Sequence, residues 1–459
     1  MTVFWQLERY SDNIAVIDDR NVEVSYRQLA CLVESLAVQI PNRSLVFCLC
    51  DNSVDALVAY LACLKTRAVA LLLDKDIAPE LLQQLIECYQ PGYLWQETER
   101  GYELHDFNQK APEMDDRLAL LIATSGSTGS PKVVRLSYQN LLANTRSIVD
   151  YLNIDSNERP LAWLPMNYVY GLSIINTHLA QGATLLLTKS SPVQPAFWRF
   201  IKEHGATSLS GVPYSWEIMN KLRFTRMDLP SLKTLTQAGG KLRPELHSVL
   251  AQWSSEKNLR FFIMYGAAEA TSRMGYLPVE NCIEKTGVMG IAIPDGRFAL
   301  EDEDGNEIAD SGKCGELIYY GNNVSLGYAV RRSDLAKGDE RKGRLATGDL
   351  AIRDNDGFYT IVGRKTRFLK VFGNRVGLDE LEHLVVNAFP SLECAAVGSD
   401  DNIQVFITDA SATLAVKSYL AQTCHLHHSA FTVSSINSIP KNAAGKTLYH
   451  QVEVQCERV

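Results

Sequence analysis

Apolar positions in the first half of the chain alternate between two patterns. Ser44 to Cys50 is a short run rich in Leu, Val and Phe and predicts a buried strand. Val54, Leu57, Val58, Leu61 and Leu64 follow at helical spacing. Ala68 to Leu73 predicts the next strand, and Leu118 to Ala123 and Ala183 to Thr188 repeat the pattern. Strands that are apolar on both faces must be covered on both faces, so helices are expected on each side of the sheet. Cys48 and Cys50 would share one face of the first strand. The fold class this predicts is α/β, with a large N-terminal domain of helix-covered sheets.

The pattern changes near Pro294. From Arg297 to Tyr359 short strands alternate with turns, and Asp304-Gly305-Asn306 and Asn355-Asp356-Gly357 are hairpin signals. This predicts a small β-rich subdomain. Gly363-Arg364-Lys365-Thr366 is a charged break. Beyond it Leu381, Leu384, Val385 and Ala388 mark an amphipathic helix, with Asp379 and Glu382 spaced as a capping box. Cys394 to Val397 and Ile403 to Ile407 predict strands. A boundary is therefore expected near residue 365, dividing the chain into an N-terminal domain, 1–364, and a small mobile C-terminal α/β domain, 365–459.

Composition adds exclusions. The 459 residues are 46% hydrophobic and 21% charged, an ordinary globular balance with room for two or three domains. The formal charge of −8, with no basic stripe, argues against nucleic acid as a partner. Met1 to Arg9 lacks the features of a secretory signal, and no apolar run reaches the roughly 18 residues needed to span a bilayer. A cytoplasmic protein without a membrane span is expected. The ten cysteines include no Cys-x-x-Cys pair and are expected as reduced thiols. Cys424, His425, His427 and His428 form a metal-like cluster, but a second ligand pair is missing, so no metal is expected there.

The most informative segment is Thr124-Ser125-Gly126-Ser127-Thr128-Gly129-Ser130-Pro131-Lys132, directly after a predicted buried strand. Consecutive small residues let backbone N–H groups converge on one anion. Ser125, Ser127 and Thr128 add hydroxyl donors and Lys132 a positive charge. The pattern suits a polyphosphate, although it lacks the Gly-Lys-Ser/Thr ending of a Walker loop.

With this segment, the chain resembles the adenylate-forming (AMP-binding) superfamily of acyl-CoA synthetases, peptide-synthetase adenylation domains and luciferases. The matches run in the family's order. Thr124 to Lys132 is similar to the family's phosphate loop. Leu164 to Gly171 resembles the segment lining the acyl pocket. Ala238-Gly239-Gly240-Lys241-Leu242 resembles the glycine turn beside the adenine. Met264-Tyr265-Gly266-Ala267-Ala268-Glu269 resembles the Tyr-Gly-x-x-Glu motif, and Thr347-Gly348-Asp349 the Thr-Gly-Asp motif. Gly363-Arg364 and Lys370 to Val376 resemble the hinge and the loop that follows it. Pro440 to Lys446 resembles the C-terminal lysine motif.

The resemblance implies an ATP-dependent acid–thiol ligase that forms an acyl-adenylate, releases pyrophosphate and then makes a thioester. It implies ATP, Mg2+, a small carboxylic acid, and a thiol acceptor that is CoA or the phosphopantetheine of an acyl-carrier protein. Thr124, Ser125, Gly126, Ser127, Thr128, Gly129 and Lys132 would hold the phosphates. Gly239, Gly240, Tyr265 and Gly266 would flank the adenine. Glu269 would hold magnesium. Asp349 would accept from the ribose hydroxyls, with Arg364 nearby. Lys446 would stabilise charge at the α-phosphate, and Thr128, Lys132, Glu269 and Lys446 make up the implied catalytic set. Asn167, Tyr168, Ala238 and Gly239 would line the acid pocket. Gly373, lacking a side chain, would let the pantetheine arm approach the backbone. The chain departs from the family at Thr366, where the hinge usually has Asp or Lys. It also has Ala268 in place of a Thr, and Tyr168 in place of a His. The pocket segment offers no acid to pair an ammonium, which disfavours α-amino acids.

Overall fold

The buried apolar runs form the middle of a seven-stranded sheet. This computed structural model describes residues 3–123, 132–365, 367–371, 374–399, 402–424, 426–442, 445, 447–449 and 451–452. The expectations placed on Thr124 to Gly129, Thr366, Gly373, His425 and Lys446 lie outside the described residues.

In the sheet, Val69–Asp74 lies between Leu45–Cys50 and Leu118–Ala123 and is parallel to both. Tyr93–Thr98 adds a further parallel strand beside Leu45–Cys50. Alternate residues of Leu45–Cys50 enter different cores. Val46, Cys48 and Cys50 pack with the helix Val54–Thr66, while Leu45, Phe47 and Leu49 pack with Leu85 and Tyr89 of the helix Pro79–Tyr89. Such two-sided cover explains why these strands carry no polar face. The expected strand at Ala183 to Thr188 is shorter, Leu185–Leu187, in a separate four-stranded sheet.

A five-stranded sheet carries Ser208–Gly211, Thr234–Gln237 and Arg260–Tyr265 in parallel, followed by two antiparallel strands. The helix Val169–Gln181 is apolar around most of its circumference, and nearly every residue in it is buried.

At one edge of the seven-stranded sheet, Gly327–Ala329 pairs antiparallel with Val133–Ser137. The junction is tied by Arg135, whose side chain is fully buried. Its Nε donates to Tyr328 O at 3.1 Å, and its Nη2 donates to Leu326 O at 3.1 Å and Gly338 O at 3.2 Å. Nη1 donates to Lys337 O, and Glu340 Oε2 lies 2.6 Å from Nη2. A planar guanidinium with five fixed donors can hold several carbonyls at once, which an ammonium on a flexible stem does less well.

By backbone contacts the chain divides into two compact units. The first holds most of the chain up to Arg297 together with Tyr319–Leu345. The second takes Phe298–Ile318 and the chain from Ala346 onward. The expected boundary near residue 365 falls inside this second unit. Its β-rich part contains both expected turns: Asp302 Oδ1 accepts from the amides of Asp304 and Asn306, and Asp354 Oδ1 from those of Asp356 and Phe358. Toward the C-terminus, Val371, Leu381, Val385, Val405, Leu420 and Phe431 belong to one apolar core of their own.

The helix Leu378–Ala388 is present, but the capping box is not. Its N-cap is Gly377, which has no side chain to offer. Asp379 and Glu382 turn instead to Arg367, and Glu382 Oε1 lies 2.8 Å from its Nη2. Tyr449 covers that guanidinium at 3.7 Å and donates to Glu382 Oε2. A largely buried cation recruits both carboxylates, because leaving it unpaired would cost more than a missing cap.

Among the described residues no helix is long and apolar enough to cross a membrane. Cys48, Cys50, Cys63 and Cys282 are buried thiols.

Replacing Arg135 by Met should strand several buried carbonyls and lower stability by about 2–4 kcal/mol, read as a shift in the urea midpoint. His178, in the buried helix, supplies a pH effect. Burial holds its imidazole down to about 4, against a partly offsetting hydrogen bond with Ile174 O. Above the ordinary pKa of 6.5 the ring is neutral in folded and unfolded chains alike. Below it only the unfolded chain takes up the proton, so stability falls as pH drops from 6.5 toward 4. The His178→Asn variant should lose about one proton's worth of that slope, about 1.4 kcal/mol per pH unit. Urea midpoints measured across the interval for both proteins check this.

Candidate active site

Within the first unit, the strand Thr234–Gln237 runs into the turn at Ala238, Gly239 and Gly240. Gln237 Nε2 donates to Gly240 O at 2.8 Å and pins the turn. Gly239 has φ +88°, and a Cβ there would sit 2.5 Å from Tyr168 Oη. Only glycine permits both the conformation and the approach of that phenol. Tyr168 precedes the helix Val169–Gln181, and its amide donates to Pro165 O at 3.0 Å. Burial pushes its phenol up. The structure thus brings Tyr168 and Gly239 together. Ala238 is buried in an apolar cluster that also holds Tyr170 and Val212, and Asn167 is half-buried one residue before Tyr168.

The strand Arg260–Tyr265 leads to Gly266, where a Cβ would lie 1.7 Å from Ser272 O. The backbone folds back so tightly there that no larger residue fits. A short helical turn, Ala268–Ala270, then presents Glu269. Tyr328 Oη donates to Glu269 Oε1 at 2.6 Å, and the Ser325 amide donates to Glu269 O at 2.9 Å. Lys132 places its Nζ 3.5 Å from the Tyr328 ring centre, and the Arg341 guanidinium packs against the same ring at 4.7 Å. Burial, and then the adjacent Glu269 carboxylate, push the Tyr328 phenol up to about 12, so it stays a donor. Tyr328 therefore holds the carboxylate through its hydroxyl and receives two cations on its ring.

Within the second unit, Asp349 and Arg364 are register partners on adjacent strands, and Arg364 Nε lies 3.0 Å from Asp349 Oδ1. Thr347 Oγ1 donates to Leu317 O at 2.7 Å and accepts from the Asp349 amide at 3.1 Å. The Asp349 carboxylate is largely buried while Arg364 is mostly exposed.

Of the residues singled out from sequence, Glu269 and Lys132 meet around one ring, Tyr168 meets Gly239, and Asp349 pairs with Arg364. Tyr265 and Gly266 stand at the end of the strand leading to Glu269. Sequence reasoning missed Tyr328, Arg341 and Arg135. Nothing local signals Tyr328 and Arg135, since each acts on residues far away in the chain, and Arg341 matters only through Tyr328. In the segment of the metal-like cluster, His427 Nδ1 accepts from the Ser429 amide, and His425 lies outside the described residues.

Known proteins resemble the chain in sequence and in fold. The long-chain-fatty-acid–CoA ligase of Yersinia pestis is 28% identical over 349 residues, 73% of this chain and 61% of that protein. The chain thus matches about three fifths of the length of such relatives. The indoleacetate–CoA ligase of Aromatoleum aromaticum is 27% identical over 422 residues, 83% of this chain and 81% of that protein. In fold, the chain is similar to o-succinylbenzoate CoA synthetase of Bacillus subtilis in complex with its acyl-adenylate intermediate. The TM-score is 0.82 at 22% identity, and 98% of each chain is covered. The sequence profile of the AMP-binding enzyme family matches residues 3–100 and 88–329. These matches take in well over half of the chain, which belongs to the AMP-binding enzyme family.

Proposed function

We propose that the protein is an ATP-dependent acid–thiol ligase of the AMP-forming kind, an acyl- or aryl-CoA ligase. The observation that carries this is the Glu269 carboxylate, fixed by Tyr328, with the Lys132 ammonium seated on the same ring. A positioned carboxylate and a cation at the exit of the Ser/Gly segment suit a magnesium–polyphosphate. The carboxylate oxygens of Glu269 are hard donors of the type Mg2+ prefers, and Tyr328 sets their orientation as an outer-shell partner does. When bound, the ion would offset phosphate charge.

The residues divide the work as follows. Ser125 to Lys132 bind the terminal phosphates of ATP. Tyr265 and the Gly239–Gly240 turn flank the adenine, and Asp349, paired with Arg364, accepts from the ribose hydroxyls. Asn167, Tyr168, Ala238 and Gly239 line the acid's entry. A carboxylate oxygen of the acid attacks the α-phosphorus, and pyrophosphate leaves. Lys446 stabilises the charge that builds on the α-phosphate oxygens. A thiol sulfur then attacks the acyl carbon, and AMP leaves. For this step residues 365–459 turn about a hinge beside Arg364, withdrawing Lys446 and bringing in the backbone at Gly373. The separate apolar core beyond Val371 supports such a body. The reaction is placed in the cytoplasm.

The general test is a panel of acids screened by pyrophosphate release, with CoA and with a phosphopantetheinylated carrier protein as alternative acceptors. Turnover with CoA is expected; no pyrophosphate release from any acid would remove the reading, and turnover only with the carrier would move the enzyme to carrier loading. Lys446→Ala should slow ATP–pyrophosphate exchange by about 100-fold or more yet spare thioester formation from a supplied acyl-adenylate. Equal loss of both half-reactions would contradict the hinge. Tyr328→Phe should raise the magnesium concentration needed for half-maximal exchange by about tenfold, with kcat at saturating magnesium little changed. An unaltered magnesium dependence would remove Tyr328 from the site.

A further inference from the structure

A small cavity of about 30 Å³ lies between residues of the helix Val169–Gln181, among them Ser173 and Thr177, and residues of the five-stranded sheet, among them Ser210 and Thr236. By volume it holds about one or two waters, or a group of about three heavy atoms. Its lining is unusual for an interior. Ser173, Thr177, Ser210 and Thr236 bring hydroxyls to it, and Arg273 and Arg260 bring charges.

The charges do not balance. Glu158 and Arg260, both at the cavity, lie 3.5 Å apart. Glu158 also accepts from Thr207 Oγ1, and Arg260 donates to Leu152 O and Thr234 Oγ1, so these two are spoken for. His178 adds no cation, being held neutral by burial. Arg273 is left over. Its exposure is 3%, yet among the described residues no carboxylate pairs with it. Its partners are Ser272 Oγ at 2.6 Å, Met264 Sδ at 3.3 Å and the face of Tyr170 at 4.0 Å, none of them an anion. A buried cation is costly unless an anion compensates it.

A second feature points the same way. Thr236 Oγ1 donates to Ser210 Oγ at 2.8 Å, so the Tyr170 hydroxyl, 2.8 Å from Thr236 Oγ1, must donate to Thr236. The relay runs Tyr170 to Thr236 to Ser210 and ends with the Ser210 proton at the cavity wall. Tyr170 stands between the two places: its hydroxyl bonds to the cavity residue Thr236, and its ring lies 6.4 Å from that of Tyr168, whose hydroxyl lies against Gly239.

We propose that the cavity is a seat for a second anionic group on the substrate, so that the acid activated here is a dicarboxylic or similarly doubly acidic compound held at its far end by Arg273 and Ser210. This rests on the ligase reading, since it takes the near end of the acid to be the carboxylate activated beside Gly239. A plain fatty or aryl acid would leave the Arg273 charge buried without an anion, the situation in which sites built for a polar group reject apolar analogues.

The test compares straight-chain dicarboxylic acids, succinic to sebacic, with monocarboxylic acids of equal length, and 4-carboxyphenylacetic acid with phenylacetic acid. ATP–pyrophosphate exchange gives kcat/KM, and the acid-induced rise in Tm gives binding without catalysis. At least one diacid should exceed its partner by about tenfold or more in kcat/KM, and Arg273→Gln should erase that preference. Arg273→Lys, which keeps the charge, should recover part of it. Plain acids used equally well or better, or a preference unchanged in Arg273→Gln, would overturn the inference and leave the ligase reading standing. If no acid supports exchange, the ligase reading fails. A diacid that still raises Tm in the native protein but not in Arg273→Gln would then support the anion seat, and no such difference would overturn it too. Should Arg273→Gln not fold, the native protein's choice between paired acids decides alone.

Discussion

One hydrogen bond organises the candidate site: the hydroxyl of Tyr328 to the carboxylate of Glu269. It joins a short helical turn to the edge strand Gly327–Ala329, and it aims the carboxylate. Its geometry is inherited from further back. Arg135, buried in the neighbouring strand, holds the carbonyls of Leu326 and of Tyr328 itself and so sets where that ring can stand. Because Lys132 lies on the ring's face, one aromatic residue positions groups of opposite charge. The chain thus spends a fully buried cation on backbone carbonyls, and the orientation of a single carboxylate depends on it.

The same economy governs the glycines. At Gly266 the backbone turns back against Ser272 O, and at Gly239 it turns through a left-handed conformation beneath Tyr168. Both positions let main chain or phenol come closer than a side chain would allow. Near them, at the cavity beside Thr236, hydroxyls and Arg273 are gathered in the interior. Polar groups buried away from the fold's own hydrogen-bond ladders are costly, and their presence beside the acid's entry makes them a feature of recognition rather than of folding.

Much of the fold was legible in the sequence, since its signals are local. Uninterrupted apolar runs gave the parallel strands, Leu118–Ala123 to the residue, and Asp304-Gly305-Asn306 and Asn355-Asp356-Gly357 gave the turns, which the structure shows held by Asp302 and Asp354. The capping box at Asp379 and Glu382 failed because a distant residue, Arg367, outbid the helix terminus for both carboxylates. The motif residues of the candidate site could be read because they sit in short glycine-marked segments. Their supports could not be: Tyr328 is 59 positions from Glu269, and Arg135 is 193 positions from Tyr328. Arg273 likewise gives no signal in the chain, since its distinction lies in what surrounds it after folding.

The central claim is that the acid's own carboxylate oxygen becomes bonded to the phosphorus of AMP. Turnover with an acid labelled with oxygen-18 in its carboxylate, followed by mass spectrometry of the nucleotide product, reads this directly. The account predicts AMP carrying a single labelled oxygen from the acid, with unlabelled pyrophosphate. Unlabelled AMP, or ADP and inorganic phosphate in its place, would contradict it.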